Sequence, residues 1–265
     1  MSSIEQYRDH LIMRGRTPAT IKAYVGAVHQ LERFAGKPIQ AVTPADAARW
    51  VRQPHLRQGS RNAYHRWLAA WCAWSGQDLL SEVDRPRRPE CAPKPVPPFR
   101  VELMLAACRD DQDTAMLLLM LLAGLRRMEV ASFRGEQIDP HDRMILVRGK
   151  GGKDAWVPAP PALVRHARRM PPRRYWFPSP VSPGMPVAPF TIWKRTTDLS
   201  ARAGVGHIPP HRLRHTYATE LVRGGAPLTS VQRMMRHANL ATTQHYIGVS
   251  AEDLHAAGAV LPWAA

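Results

Sequence analysis

The sequence predicts a mainly α protein with a small antiparallel β-sheet, divided into a helical front domain and an α+β second domain. Three observations predict it. Apolar residues recur at three-and-four spacing through most of the 265-residue chain, which places them on one face of a helix. A proline-dense stretch at 85–98 (Pro86, Pro89, Pro93, Pro95, Pro97, Pro98) interrupts that pattern, and no helix or central strand survives such density. One region alone, near residues 144–158, has the strand–turn–strand pattern of a hairpin.

The elements follow in order. Ser2 or Ser3 caps a first helix carrying Ile4, Tyr7, Leu11 and Ile12 as far as Gly15. Thr17-Pro18 opens a second, in which Ile21, Tyr24, Val25, Val28, Leu31 and Phe34 share a face and Gly36 marks the end. Thr43-Pro44 opens a short third helix. A fourth begins near Ser60 and carries Tyr64, Trp67, Leu68, Trp71 and Trp74. Aromatics at this spacing predict a core rather than a base-stacking face. Arg57, Arg61 and Arg66, before or beside that stripe, are the better candidates for contact with nucleic-acid phosphates. The front domain is therefore expected over 1–84 and a semi-rigid linker over 85–98.

The second domain, 99–265, opens with a helix around Leu103, Leu105 and Ala106. Thr114–Ala123 is apolar nearly all round and predicts a buried helix. Met144–Val147 and Ala155–Pro158 predict two strands joined by the turn Gly149-Lys150-Gly151-Gly152-Lys153-Asp154. Helices are expected over 162–170, 192–203, 211–223 and 229–236, with a proline-rich loop over 171–189. The tail from Ala251 to Ala265 is alanine-rich with Leu254, Val260, Leu261 and Trp263.

Composition narrows the function classes. Thirty-seven Lys+Arg against 21 Asp+Glu give a net charge of +16, spread along both halves. A surplus of that size points to a polyanionic partner that touches both domains. The three cysteines form no CxxC pair and no even-numbered framework, so a reducing compartment is expected. The polar start MSSIEQYRDH is not a signal peptide. The longest apolar run, Ala115–Ala123, is far short of the roughly 20 residues that span a bilayer. These features predict a cytoplasmic, nucleoid-associated protein with no membrane partner.

The chemistry concentrates between His207 and Tyr246. Pro209-Pro210 precedes His211-Arg212-Leu213-Arg214-His215, and in a helix His211 and Arg214 share a face. His237 comes nine residues before Tyr246 in a polar segment. A tyrosine hydroxyl titrates near pH 10, so it attacks at neutral pH only beside a base and positive charge. Guanidinium groups match phosphate bidentately and keep their charge. Upstream, Gly124-Leu125-Arg126-Arg127-Met128-Glu129 adds an arginine with a carboxylate three residues on.

Taken in order, Arg126, Lys150 in the hairpin, His211-x-x-Arg214, His237 and Tyr246 resemble the tyrosine recombinases, the phage integrases and Xer-type enzymes, from about residue 100 to 246. The helical front half is similar to that family's core-binding domain. The resemblance implies a site-specific DNA recombinase that works through a 3′-phosphotyrosyl intermediate. It implies that Arg126 and Arg214 clamp the scissile phosphate and that Lys150 protonates the 5′-oxygen, with Lys153 the competitor in the same turn. It further implies that His211 accepts the tyrosine proton, His237 hydrogen-bonds the phosphate and Tyr246 attacks. Glu129 would orient Arg126, and His215 would support the helix. No metal and no cofactor are implied. The implied partners are a double-stranded DNA core site with inverted repeats and further copies of the chain, as a tetramer with the C-terminal tail docked in trans. Because the front domain begins at the first residue, a Xer-like or short-integrase arrangement is expected. Three positions depart from the family pattern: Ala123, Arg127-Met128, and Met235-Arg236 before His237, where Leu-Gly is usual.

Three rivals remain at this stage. His207, His211 and His215 are spaced by four, as zinc ligands can be, although no glutamate lies between them and Arg212 and Arg214 would repel a dication. A DNA-binding recombination accessory without catalysis would carry the same charge. A type IB topoisomerase would share the chemistry.

Overall fold

The computed structural model describes residues 3–86, 95–148, 154–236, 258–261 and 263. It divides into two compact units, residues 1–92 and 93–265, each considered by itself.

The first unit is four helices, α1 (Ser3–Met13), α2 (Pro18–Ala35), α3 (Pro44–Val51) and α4 (Gln58–Ser75), with a 3-10 turn at Ile39–Ala41. Proline begins α2 and α3 because its missing N–H falls where no intrahelical acceptor exists. Thr43 and Asp46 cap α3 reciprocally: Asp46 N–H donates to the threonine hydroxyl and Thr43 N–H to the Asp46 carboxylate at 2.9 Å. The aromatic stripe of α4 is core. Trp71 is fully buried, Tyr7 meets it edge-on at 5.1 Å, and Tyr64 stacks on Trp50 at 4.2 Å.

The second unit is built around α6 (Asp111–Leu122), whose residues from Ala115 to Leu122 are all buried. α5 (Pro98–Ala106) precedes it. α7 (Arg127–Ala131), α8 (Pro161–Ala167), α9 (Pro189–Arg202), α10 (Pro210–Arg223) and α11 (Leu228–Met235) complete the helices. A helix that is apolar all round has no solvent face, so the other elements cover it on every side. One antiparallel sheet runs in the order β1 (Ile138–Asp139), β2 (Met144–Arg148), β3 (Asp154–Pro158), with Met144 opposite Pro158 and Arg148 opposite Asp154.

Four features differ from the sequence reading. α7 was not expected; it is five residues long, too short for a period to show. β1 was not expected either, and at two residues it has no alternation to read. The stretch expected as linker ends earlier than Pro98: Val96 is fully buried in the second core, and its N–H donates to Thr216 Oγ1 at 2.7 Å. The proline-rich loop also contributes core. Trp176 and Phe177 are buried, Trp176 lies edge-on to Phe133 at 4.6 Å, and its indole N–H donates to Pro171 O.

The described part of the tail packs on its own unit. Leu261 is buried in the second core, and a Cβ on Gly224 would fall 2.4 Å from Val260 Cβ, so the tail approaches α10's end too closely for a side chain there.

An ion-pair network ties α6 to α9. Asp113, almost wholly buried, accepts from Arg195 at 2.8 Å and from Arg202 at 2.9 Å. Asp113→Ala takes the buried carboxylate from both guanidinium groups, and the carboxylate left to Arg195 is the more exposed Asp110 at 2.9 Å. Urea unfolding should show a loss of about 3 kcal/mol, the low end for a broken buried pair because both arginines keep some solvent.

Candidate active site

α6 delivers its C-terminus to a turn at Ala123-Gly124. Gly124 has φ +59, and a Cβ there would fall 2.5 Å from the Tyr217 ring, so only glycine fits. The chain then reaches Arg126, extended at φ −74 and ψ 153, immediately before α7. Glu129, one turn on, folds back. Its carboxylate accepts the Arg126 backbone N–H at 2.7 Å and Arg126 Nη1 at 2.9 Å.

Arg214 comes from α10 and is 8% exposed. Its guanidinium donates to the carbonyls of Gly124 and Met235. Arg126 Nη2 donates to the Arg236 carbonyl at 2.9 Å. Both arginines thus point at the C-terminal end of α11, where unsatisfied carbonyls and the helix dipole concentrate negative potential. Burial, then the charges of Arg236 and Arg126, lower the Arg214 pKa to about 9. It stays protonated at neutral pH.

A third guanidinium belongs to the cluster. Arg236 caps α11 in the left-handed region, φ 49 and ψ 47. Its Nη2 donates to Glu129 at 2.8 Å and to Gly124 O at 3.2 Å, and Nη1 donates to Met234 O. Its Nε is buried with no partner among the described residues. Three arginines therefore surround one carboxylate. Burial pushes the Glu129 carboxyl up, but Arg236 first and then Arg126 outweigh it, and the net shift is downward. Sequence reading marked Arg236 only as a departure from the family pattern. The signal that would have found it is a long cation at a helix C-cap that a glycine could fill.

His211 lies on the first turn of α10 and is exposed. Burial of the ring lowers its pKa, helped by His215, Arg212, Arg127 and His207, so the neutral ring prevails at pH 7. His215 is also exposed, its ring edge-on to His211 at 6.2 Å. The buried face of α10 carries Leu213, Thr216 and Tyr217, and His215 lies on its exposed face. Tyr217 is fully buried, and burial raises its hydroxyl pKa above the usual tyrosine range. Among the described residues no three His, Cys, Asp or Glu side chains are grouped to hold a metal, and His207, His211 and His215 do not converge on one point.

Of the other expected residues, Lys150 and Lys153 fall between the paired ends of β2 and β3, and His237 and Tyr246 follow α11. All four lie outside the described residues. In the first unit Arg57 and Arg66 are exposed, whereas Arg61 is half-buried and donates to Gln53 O at 3.3 Å. Arg57 and Arg61 share a face of the chain entering α4, but at 3.6 residues per turn Arg66 sits roughly 140° further round. The three do not form one patch.

Residues 96–253 match the model of the phage integrase family, more than half of the chain, and the chain belongs to that family. Within it, the activity is that of a site-specific tyrosine recombinase, an enzyme that cleaves and rejoins DNA. Tyrosine recombinase XerC of Chromobacterium violaceum is 27% identical over 95% of this chain and 91% of its own. The solved integrase of mycobacterium phage Brujita is 26% identical, covers 98% of this chain and 92% of its own, and superposes with a TM-score of 0.60. A lambda integrase tetramer bound to a Holliday junction shares the fold at 14% identity, with a TM-score of 0.69 over 93% of this chain and 79% of that one.

The lowered Glu129 pKa has a consequence for stability. A carboxyl held below its ordinary value contributes stability above about pH 4.5, and that contribution is lost as pH falls through the folded-state value. Thermal unfolding followed from pH 7 to pH 3 should therefore fall less steeply in Glu129→Gln than in the wild type.

Proposed function

We propose that this recombinase acts on double-stranded DNA core sites built from inverted repeats, with Tyr246 as its nucleophile. Tyr246 attacks the scissile phosphorus, forming an O–P bond while the bond to the 5′-oxygen breaks. The tyrosine proton passes to His211, and Lys150 gives a proton to the departing 5′-oxygen. A 3′-phosphotyrosyl link and a free 5′-hydroxyl result. A second 5′-hydroxyl then attacks that link and restores the phosphodiester, so bond energy is retained throughout.

The observation that carries the proposal is the guanidinium cluster. Arg126, Arg214 and Arg236 bring three positive charges to one carboxylate, Glu129. A phosphodiester supplies the missing negative charge, and forked donors favour the extra charge of its transition state. Arg126 and Arg214 would take the non-bridging oxygens, and His237 would add a hydrogen bond. Those fixed cations supply the stabilisation that a metal would otherwise give. In the front unit, the exposed Arg57 and Arg66 are the better candidates for DNA backbone contact, and Arg61 is bound to its own loop.

The assembly on DNA is proposed as a tetramer, the state in which the lambda integrase structure was solved. Trans docking of the tail would require Leu261 to leave its seat in its own core. The net charge of +16 suits work on chromosomal DNA in the cytoplasm, and no described helix is long and apolar enough to cross a membrane.

The test is a nicked suicide substrate carrying inverted repeats found near the gene, without added metal. A covalent protein–DNA band on a denaturing gel should form, persist in chelator and vanish in Tyr246→Phe; a band surviving Tyr246→Phe overturns the nucleophile. Arg214→Lys should slow band formation at least about 100-fold, because an ammonium cannot replace two forked donors, while DNA binding by gel shift stays near the wild type. The rate should be flat near neutrality and fall on the acid side with a midpoint below the usual histidine value of 6.5, since protonated His211 cannot accept a proton. His211→Gln should abolish that acid limb.

A further inference from the structure

Arg236 stands where the family resemblance leads one to expect glycine, yet its side chain is not turned to solvent. The residue is held at φ 49, a conformation that costs any side chain other than glycine some strain. Its side chain is slightly more buried than the carboxylate it meets, 8% against 11% exposed. It reaches back across the C-terminus of α11 to Glu129 and Gly124 O, the two acceptors that also fix Arg126 and Arg214. Its own carbonyl takes Arg126 Nη2. One residue therefore accepts from Arg126 through its backbone and, through its side chain, shares Glu129 with Arg126 and the Gly124 carbonyl with Arg214. A solvated surface arginine would show neither the burial nor the convergence.

We propose that Arg236 is a positioning residue for strand cleavage: its bridge to Glu129 and Gly124 locks the end of α11 to the turn that carries Arg126. The proposal rests on the recombinase reading above. Glu129 is thereby shared between two guanidinium groups. Glu129 engages the Arg126 backbone N–H and Nη1, and the Arg236 carbonyl takes Nη2, so the two residues of the bridge hold the Arg126 guanidinium between them. Arg236 acts through Glu129 and the Gly124 carbonyl, not on the substrate, so its removal should affect the cleavage step more than DNA binding. The charged groups facing Glu129 are Arg126 from its own turn, Arg236 from α11 and Arg214 from α10. Loss of Arg236 removes the largest opposing charge, so burial pushes the carboxyl upward against less opposition.

The experiment uses the full chain and the nicked suicide DNA. Cleavage rate at saturating DNA, DNA concentration at half-maximal rate, and the pH profile are read for the wild type, Arg236→Gly, Arg236→Lys and Glu129→Gln. Arg236→Gly is the informative variant because glycine suits φ 49 and keeps the backbone. It should cleave about 10–100-fold more slowly at saturation, the usual cost of losing a residue that orients a site group. Its half-saturating DNA concentration should stay within about 2-fold, since the phosphate contacts that set affinity remain. The loss of rate from protonating Glu129, which lies below the His211 limb, should move to higher pH, and Arg236→Lys should restore part of the rate. Combining Arg236→Gly with Glu129→Gln should cost little more than either alone, because both break one bridge. Wild-type rate and pH profile in Arg236→Gly would overturn the proposal, as would an effect confined to DNA affinity. Absence of any Tyr246-dependent band with the wild type would overturn the recombinase reading, and this proposal with it.

Discussion

One imbalance governs the second unit: Arg126, Arg214 and Arg236 meet around the single carboxylate of Glu129. Two unit charges about 4 Å apart repel by about 4 kcal/mol at an effective dielectric of 20. One carboxylate cannot cancel three guanidinium groups. The remainder falls on the carbonyls of Gly124, Met234, Met235 and Arg236, and on the negative end of α11. Those partners are dipoles, worth less to a guanidinium than a full anion. Burial first, and then the neighbouring guanidinium charges, lower the pKa values of Arg214 and Arg236. A phosphodiester is the partner such a site lacks.

The fold serves to hold those charges together against their repulsion. α6 is buried throughout and its N-terminal end is pinned to α9 through Asp113. Its C-terminal end passes under Tyr217 at Gly124, which sets where Arg126 begins. α10 brings Arg214, and α11 brings the carbonyls and Arg236. α9, α10 and α11 follow one another in the chain, but α6 lies far upstream of all three. The site is therefore a property of packing around α6, and local sequence preference has little part in it.

Much of this architecture was legible beforehand. Long helices with regular apolar faces announced themselves, and proline and glycine marked their ends, as at Thr17-Pro18 and Gly36. The hairpin of β2 and β3 was visible from its apolar runs and glycine-rich turn. Short elements were not. α7 and β1 are too brief to carry a period and exist because neighbouring parts hold them. Val96 and Trp176 sit among prolines, where composition argues for exposed loop, yet both are core. Composition reports what backbone a segment cannot form; it does not report whether that segment is covered. Within the site, Arg126, Glu129 and Arg214 were singled out from their order in the chain, and the structure groups them.

By itself the sequence determined the helical class, the division into two parts, the basic surplus and the identity of the residues able to handle phosphate. These depend on residue type and on spacing within a few turns, which the chain carries locally. Only the tertiary structure decided which charges meet. Arg236 lies 107 positions from Glu129, and Arg214 lies 90 from Gly124. Contacts across such separations depend on how helices pack around α6, and no periodicity in the sequence encodes them.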